Sequence, residues 1–174
     1  MREIAVTIFG TGSAKPGDAA YKIAYQTGKL LAQAGIAIAN GGYGGTMAAA
    51  AKGAAEAGGE VIGVTCSAFA GSGANEYITR EIVTGSLDER LDTLIKLGRA
   101  YIVLPGGTGT LLELAKVWEL KNKGFLDARK PIILIGEFWK PLLDLIAADD
   151  PDSMRYISLV DQPAEAVDVL TGNI

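Results

Sequence analysis

The feature that most constrains the fold of this chain is a regular alternation of short apolar runs with segments of helical periodicity. Runs typical of buried strands occupy residues 4–9, 36–39, 61–65, 100–104 and 131–136, and a shorter run includes Ile82 and Val83. Such alternation is typical of parallel strands joined by crossover helices. We therefore expect an α/β fold, a Rossmann-like, doubly wound, mostly parallel sheet with helices on both faces. At 174 residues, the chain is predicted to form a single domain over residues 1–174.

The charge balance argues against nucleic acid or an anionic membrane as the partner, because the net charge is −4 and no Lys/Arg cluster is present. No apolar run approaches the roughly 18 residues of a membrane span, and the first residues lack a signal-peptide pattern. Both observations favour a cytoplasmic protein. The single cysteine, Cys66, excludes an internal disulfide, and we expect it to be a small buried residue at a strand end.

The chain contains no histidine. This excludes a Ser-His-acid triad, a Cys-His pair and histidine-ligated metals, so no metal site is expected. Acid–base chemistry would therefore fall to carboxylates, Lys, Tyr or bound water.

Glycine-rich loops follow three of the predicted strands, at residues 10–17, 40–45 and 105–109. Because the carboxyl ends of parallel strands share one edge of the sheet, these loops are expected to meet at a ligand site. The first loop fails as a dinucleotide fingerprint, since Lys15 stands at the third glycine position. Two interpretations of that loop stay open. Either Gly12 and Ser13 contact a phosphate or ribose, or the loop is only an ordinary strand-to-helix turn.

The second loop has four glycines in five positions, more than turn geometry needs, and we interpret it as a wall of the ligand site. The alanine-rich helix that follows is expected to pack closely against the sheet because its side chains are small. Further along, Ser67–Asn75 has no periodic pattern and is predicted to be a mobile lid. The third loop leads from a strand into a helix, a turn that directs backbone N–H groups and the positive end of a helix dipole at an anion such as phosphate.

Two charged residues near these loops have competing interpretations. Glu113 is either a functional carboxylate or the end of a capping box, since residues 110–113 have T-x-x-E spacing. Arg90 either forms a surface salt bridge or has a functional role, because a cation in the first turn of a helix is disfavoured by the dipole. That helix is itself predicted to begin with a capping box formed by Ser86 and Glu89.

Three segments resemble the Lonely Guy type of phosphoribohydrolase, a family often labelled lysine decarboxylase-like. Residues 105–113 match its PGGxGTxxE motif, residues 40–47 are similar to its GGG-x-x-G-x-M loop, and residues 87–91 align with its M-H-x-R-K segment. The sequence departs from the family at Asp88 and Leu91, where the segment has His and Lys. In the PGGxGTxxE motif, Leu112 stands where the family often has an acidic residue, just before the final glutamate.

The resemblance implies hydrolysis of the N-glycosidic bond of a nucleoside 5′-monophosphate, such as AMP or a cytokinin riboside monophosphate, to free base and ribose 5-phosphate. Arg90 and Glu113 would be the catalytic pair beside the ribose and the scissile bond. The residues that would bind the phosphate and the rest of the nucleotide are Gly42, Gly45, Thr46, Gly106, Gly107, Thr108, Gly109 and Thr110. A carboxylate can support this reaction without a metal or an organic cofactor.

Related proteins of this fold carry a molybdenum cofactor without catalysis, so a non-catalytic nucleotide or molybdenum-cofactor carrier is the alternative function. A nucleotide sensor that works through partners is a third. A pyridoxal-phosphate lysine decarboxylase is not expected, because no lysine has a recognisable context for a Schiff base. The resemblance also implies a homodimer, and Val117, Trp118 and Leu120 belong either to the core or to its interface.

Overall fold

The computed structural model describes residues 5–69 and 73–172, and in that part of the chain it forms a seven-stranded sheet. The strands are β1 (Ala5–Phe9), β2 (Ala37–Asn40), β3 (Val61–Cys66), β4 (Arg80–Thr84), β5 (Gly98–Val103), β6 (Ile132–Ile135) and β7 (Ile157–Val160). Their order is β4-β3-β2-β1-β5-β6-β7, and all neighbouring pairs are parallel. The expected α/β class and parallel sheet are confirmed.

Helices cover both faces of the sheet. They are α1 (Ala19–Gln33), α2 (Thr46–Glu56), α3 (Leu87–Leu97), α4 (Thr108–Asn122), α5 (Lys140–Asp149) and α6 (Pro163–Thr171), with 3-10 turns at Glu137–Trp139 and Pro151–Tyr156. In β1, Val6 and Ile8 face the core built with α1, α2 and α6, whereas Ala5 and Phe9 face the core built with α3, α4 and α5. Strands buried on both faces account for the continuous apolar runs in the sequence.

Several smaller expectations are also met. The alanines of α2 pack on the sheet, and Cys66 is buried at the end of β3. Val117 and Trp118 lie in the core, with 6% of Trp118 exposed, so the core interpretation holds for these two. In the described ranges, none of the helices combines the length and apolar content needed to cross a bilayer.

The position of β1 fixes where a ligand can bind. The chain moves outward from β1 to β4 on one side and then returns to place β5 on the other side of β1. The loops after β1 and β5 therefore leave the sheet in opposite directions, and a crevice opens between them.

Candidate functional site

A cavity of about 380 Å³ lies at this crevice. It is lined by the loop after β1 at residues 10–13, by residues 107–110 at the start of α4, and by side chains from the elements between them. Of the predicted residues, Gly12, Ser13, Arg90, Gly107, Thr108, Gly109, Thr110 and Glu113 line it together. A volume of this size suits a small-molecule ligand.

Four predicted residues are not among the described residues that line the cavity, namely Gly42, Gly45, Thr46 and Gly106. Thr46 instead joins two loops, because its backbone N–H and its hydroxyl both donate to the carbonyl of Thr11 at 2.9 Å. Gly45 has φ +64°, and a Cβ there would lie 2.3 Å from the same carbonyl oxygen. The structure thus gives Gly45 and Thr46 contacts that hold the loop after β1 in place.

The first turn of α4 faces the cavity with its N–H groups uncapped. The helix begins at Thr108 after Gly107, no side chain of the described residues caps it, and the N–H of Leu111 makes the first helical bond, 2.9 Å to Gly107. Thr110 is therefore inside the helix, and the capping-box interpretation of Glu113 is wrong. The uncapped turn is a ready site for an anion.

Arg90 is buried rather than in a surface salt bridge, with 8% of the residue exposed. Its Nε donates to the carbonyl of Val64 at 2.8 Å. Its guanidinium carbon lies 5.4 Å from the ring centroid of Tyr43 and 5.8 Å from that of Phe69. These contacts compensate for much of the cost of removing the charge from water.

The start of α3 explains how Arg90 reaches this position. The hydroxyl of Ser86 accepts from the N–H of Glu89 at 3.2 Å, as the predicted capping box requires. The carboxylate of Glu89 accepts from the N–H of Gly85 at 2.7 Å, one residue before the position expected. This cap fixes the first turn of α3, and Arg90 follows directly.

Glu113 projects from α4 into the same cavity and is partly buried. Burial raises the pKa of its carboxyl group to about 7, although the positive charge of Arg90 pulls that pKa down. The carboxyl group therefore titrates near neutral pH, which suits an acid or a base in catalysis. Within residues 5–69 and 73–172, no group of three or more carboxylate or thiol side chains is arranged to hold a metal ion.

Five lining residues were not predicted individually: Gly10, Thr11, Tyr43, Met47 and Phe69. Gly10, Thr11 and Tyr43 belong to loops that were expected to meet at the ligand site. Tyr43 carried a signal, because it is an aromatic residue within the glycine-rich run of the second loop. Phe69 belongs to the segment predicted to be a lid, of which residues 70–72 lie outside the described part of the chain. A larger cavity of about 520 Å³ lies between α4 and α5, away from the carboxyl ends of the strands.

Comparison with solved structures finds the same fold in proteins that bind a cofactor. The molybdenum cofactor binding protein from the phototrophic bacterium Rippkaea orientalis matches with a TM-score of 0.81 and 27% identity, over 99% of this chain and 98% of that one. The molybdenum cofactor carrier protein from Chlamydomonas reinhardtii matches with a TM-score of 0.78 and 26% identity, over 98% of both chains.

Comparison with sequences finds relatives named for an enzyme. A cytokinin riboside 5′-monophosphate phosphoribohydrolase from Mycobacterium tuberculosis is 34% identical over 158 residues, which cover 80% of this chain and 82% of the relative. A protein of the same name from Rhodococcoides fascians is 30% identical over 146 residues, which cover 81% and 73%. The family model described as LDcluster4, SLOG cluster4 family, matches residues 3–167. The chain therefore belongs to the SLOG cluster4 family and to the Lonely Guy type of proteins that its motifs resemble.

Proposed function

We propose that this protein is a phosphoribohydrolase that cleaves the N-glycosidic bond of a nucleoside 5′-monophosphate to free base and ribose 5-phosphate. The names of its relatives support this reaction class. The observation that carries the proposal is the carboxyl group of Glu113. It is partly buried, it caps no helix, burial raises its pKa to about 7, and it lies in a cavity that also holds a buried arginine.

The start of α4 would bind the phosphate. The N–H groups of residues 108–110 and the helix dipole favour an anion, and the hydroxyl of Thr108 adds a donor. The loop at Thr11 and Ser13 also lines the cavity and would contact a phosphate or ribose bound there. The aromatic rings of Tyr43 and Phe69 would form an apolar wall against which the base packs.

Glu113 would act at the glycosidic bond. As the bond between C1′ and the base nitrogen breaks, the sugar develops positive charge, which a carboxylate stabilises. Glu113 would accept a proton from the attacking water, whose oxygen bonds to C1′, and would pass that proton to the departing base nitrogen, so that its carboxylate is regenerated. Arg90 would neutralise negative charge on the phosphate or on the leaving base.

A non-catalytic carrier is the second candidate, because solved structures of molybdenum cofactor proteins match the chain over nearly its whole length. The same helix start could hold the phosphate of such a cofactor. Arg90 and Glu113 distinguish the two candidates, since a carrier needs no carboxyl group that titrates near neutral pH at the site.

Substitution of the catalytic pair tests the proposal. Glu113→Gln and Arg90→Ala should each lower the rate of base release from AMP by about 100-fold or more, the range that acid–base groups contribute. Calorimetry should still detect nucleotide binding to Glu113→Gln, because the phosphate site is intact. Turnover by either variant at the wild-type rate would contradict these assignments.

A further inference from the structure

The loop between β2 and α2 holds the side chain of Arg90 from two directions. A Cβ at Gly41 would lie 1.8 Å from Nη2 of Arg90, so the guanidinium occupies space that only a glycine leaves open. Two residues later, the ring of Tyr43 lies 5.4 Å from the guanidinium carbon. The glycine-rich loop thus has a contact with the arginine that its predicted role as a ligand wall does not explain.

Tyr43 is itself firmly anchored. Its hydroxyl accepts from the N–H of Cys66 at 2.8 Å and donates to the Cys66 carbonyl at 3.4 Å. The side-chain amide of Asn75 donates to the Tyr43 carbonyl at 2.9 Å and to the Gly42 carbonyl at 3.0 Å. Both the backbone and the ring end of Tyr43 are therefore fixed to the carboxyl end of β3 and to the segment after it.

We propose that Tyr43 is a positioning residue, which holds the guanidinium of Arg90 at the cavity and acts on Glu113 only through it. This inference rests on the function proposed above. Among the described residues that line the cavity, the ionisable ones are Tyr43 from the loop after β2, Arg90 from α3 and Glu113 from α4. Displacement of the guanidinium removes the positive charge that favours the ionised carboxylate, so the pKa of Glu113 rises further above its ordinary value.

The experiment compares Tyr43→Leu and Tyr43→Phe with the wild type, and uses Tyr25→Phe on α1 as the matched control. The control removes a tyrosine hydroxyl that bonds Glu56 at 2.6 Å, outside the residues that line the cavity. Tyr43→Leu should lower kcat for base release by about tenfold or more with a smaller change in KM, because the transition state depends on Arg90. Tyr43→Phe keeps the ring over the guanidinium and loses only the anchor to Cys66, so it should lower kcat less than Tyr43→Leu does. Tyr25→Phe should leave kcat unchanged.

A second readout does not depend on turnover. The Glu113 carboxyl group is titrated by NMR in protein labelled with 13C-glutamate, and Glu113→Gln assigns its signal. Tyr43→Leu should move this titration to higher pH, and so should Gly41→Ala, which displaces the guanidinium without removing the ring. If the wild type releases no base, the function proposed above fails, while this titration still tests the inference.

The Arg90→Ala background gives the decisive control. If Tyr43 acts through Arg90, adding Tyr43→Leu to Arg90→Ala should change neither the Glu113 titration nor kcat any further, so the two substitutions are not additive. Additive effects in the double variant, or an unchanged Glu113 titration in both Tyr43→Leu and Gly41→Ala, would overturn the inference.

Discussion

Glu113 is subject to two opposing influences on its carboxyl group. Burial disfavours the charged form, while the positive charge of Arg90 favours it, and burial prevails because the resulting pKa is about 7 instead of 4.5. The folded protein therefore binds this proton more tightly than the unfolded chain does. The stability that Glu113 contributes is present below pH 4.5 and is lost as the pH rises through about 7.

Glu113→Gln should remove this pH dependence. Relative to the wild type, the variant should gain up to about 3 kcal/mol in the free energy of unfolding between pH 4.5 and pH 8, because no carboxylate is forced to ionise in a buried site. Urea denaturation at the two pH values measures the difference. Glu119→Gln, at an exposed position on the same helix, is the control and should change stability by less than about 0.5 kcal/mol. Parallel stability curves for Glu113→Gln and the wild type would show that burial does not perturb this carboxyl group.

The roles of Arg90 and Glu113 also show what the sequence could not decide at the residue scale. The T-x-x-E spacing at residues 110–113 is compatible with a cap or with a functional carboxylate. The choice depends on where α4 begins, and the helix begins at Thr108, which places Thr110 inside it. The role of Arg90 was ambiguous for a similar reason. The residues it contacts, Val64, Tyr43 and Phe69, are distant from it in sequence.

At the scale of elements, the buried apolar strands were predictable and the edge strand β7 was not. β1, β3, β5 and β6 are buried along most of their length, so their side chains are almost uniformly apolar. β7 has four residues at the edge of the sheet, is partly exposed and includes Ser158, so it has no apolar run to identify it. It also follows a 3-10 turn, which gives no helical period.

The contact between α1 and α2 depends on small residues. A Cβ at Gly28 would lie 2.0 Å from the carbonyl oxygen of Ala50, and this atom belongs to a helix backbone that cannot move aside easily. Gly28→Ala should therefore lower the free energy of unfolding by about 1–3 kcal/mol through overpacking. Denaturation of the purified variant measures this loss. Gly73→Ala is the control, because a Cβ there meets no atom of the described residues within 4 Å. Equal stability of both variants would contradict the tight helix contact.

At the scale of the whole molecule, the order of the strands determines the site. Because β1 lies between β2 and β5, the predicted loops at residues 10–17 and 105–109 meet at one crevice. Parallel topology was sufficient to predict that the loops share an edge of the sheet. It could not predict that Gly42, Gly45 and Thr46 would lie outside the cavity lining, since that depends on how the loops bond to one another.

The homodimer implied by the resemblance stays a prediction. Leu111 and Leu112 on α4 and Leu145 on α5 are exposed apolar side chains that association would remove from water. Light scattering should therefore give twice the chain mass of 18.1 kDa. A mass of one chain at working concentrations would exclude a stable dimer.

The most direct test of the central claim is the release of free base from AMP and from adenosine, followed by chromatography, with the wild type and Glu113→Gln. The wild type should release adenine from AMP, and much less from adenosine, because we propose that the uncapped start of α4 binds the phosphate. Glu113→Gln should release almost none from either. Binding of AMP by the wild type without any release of adenine or ribose 5-phosphate would contradict hydrolysis of this nucleotide and favour the carrier.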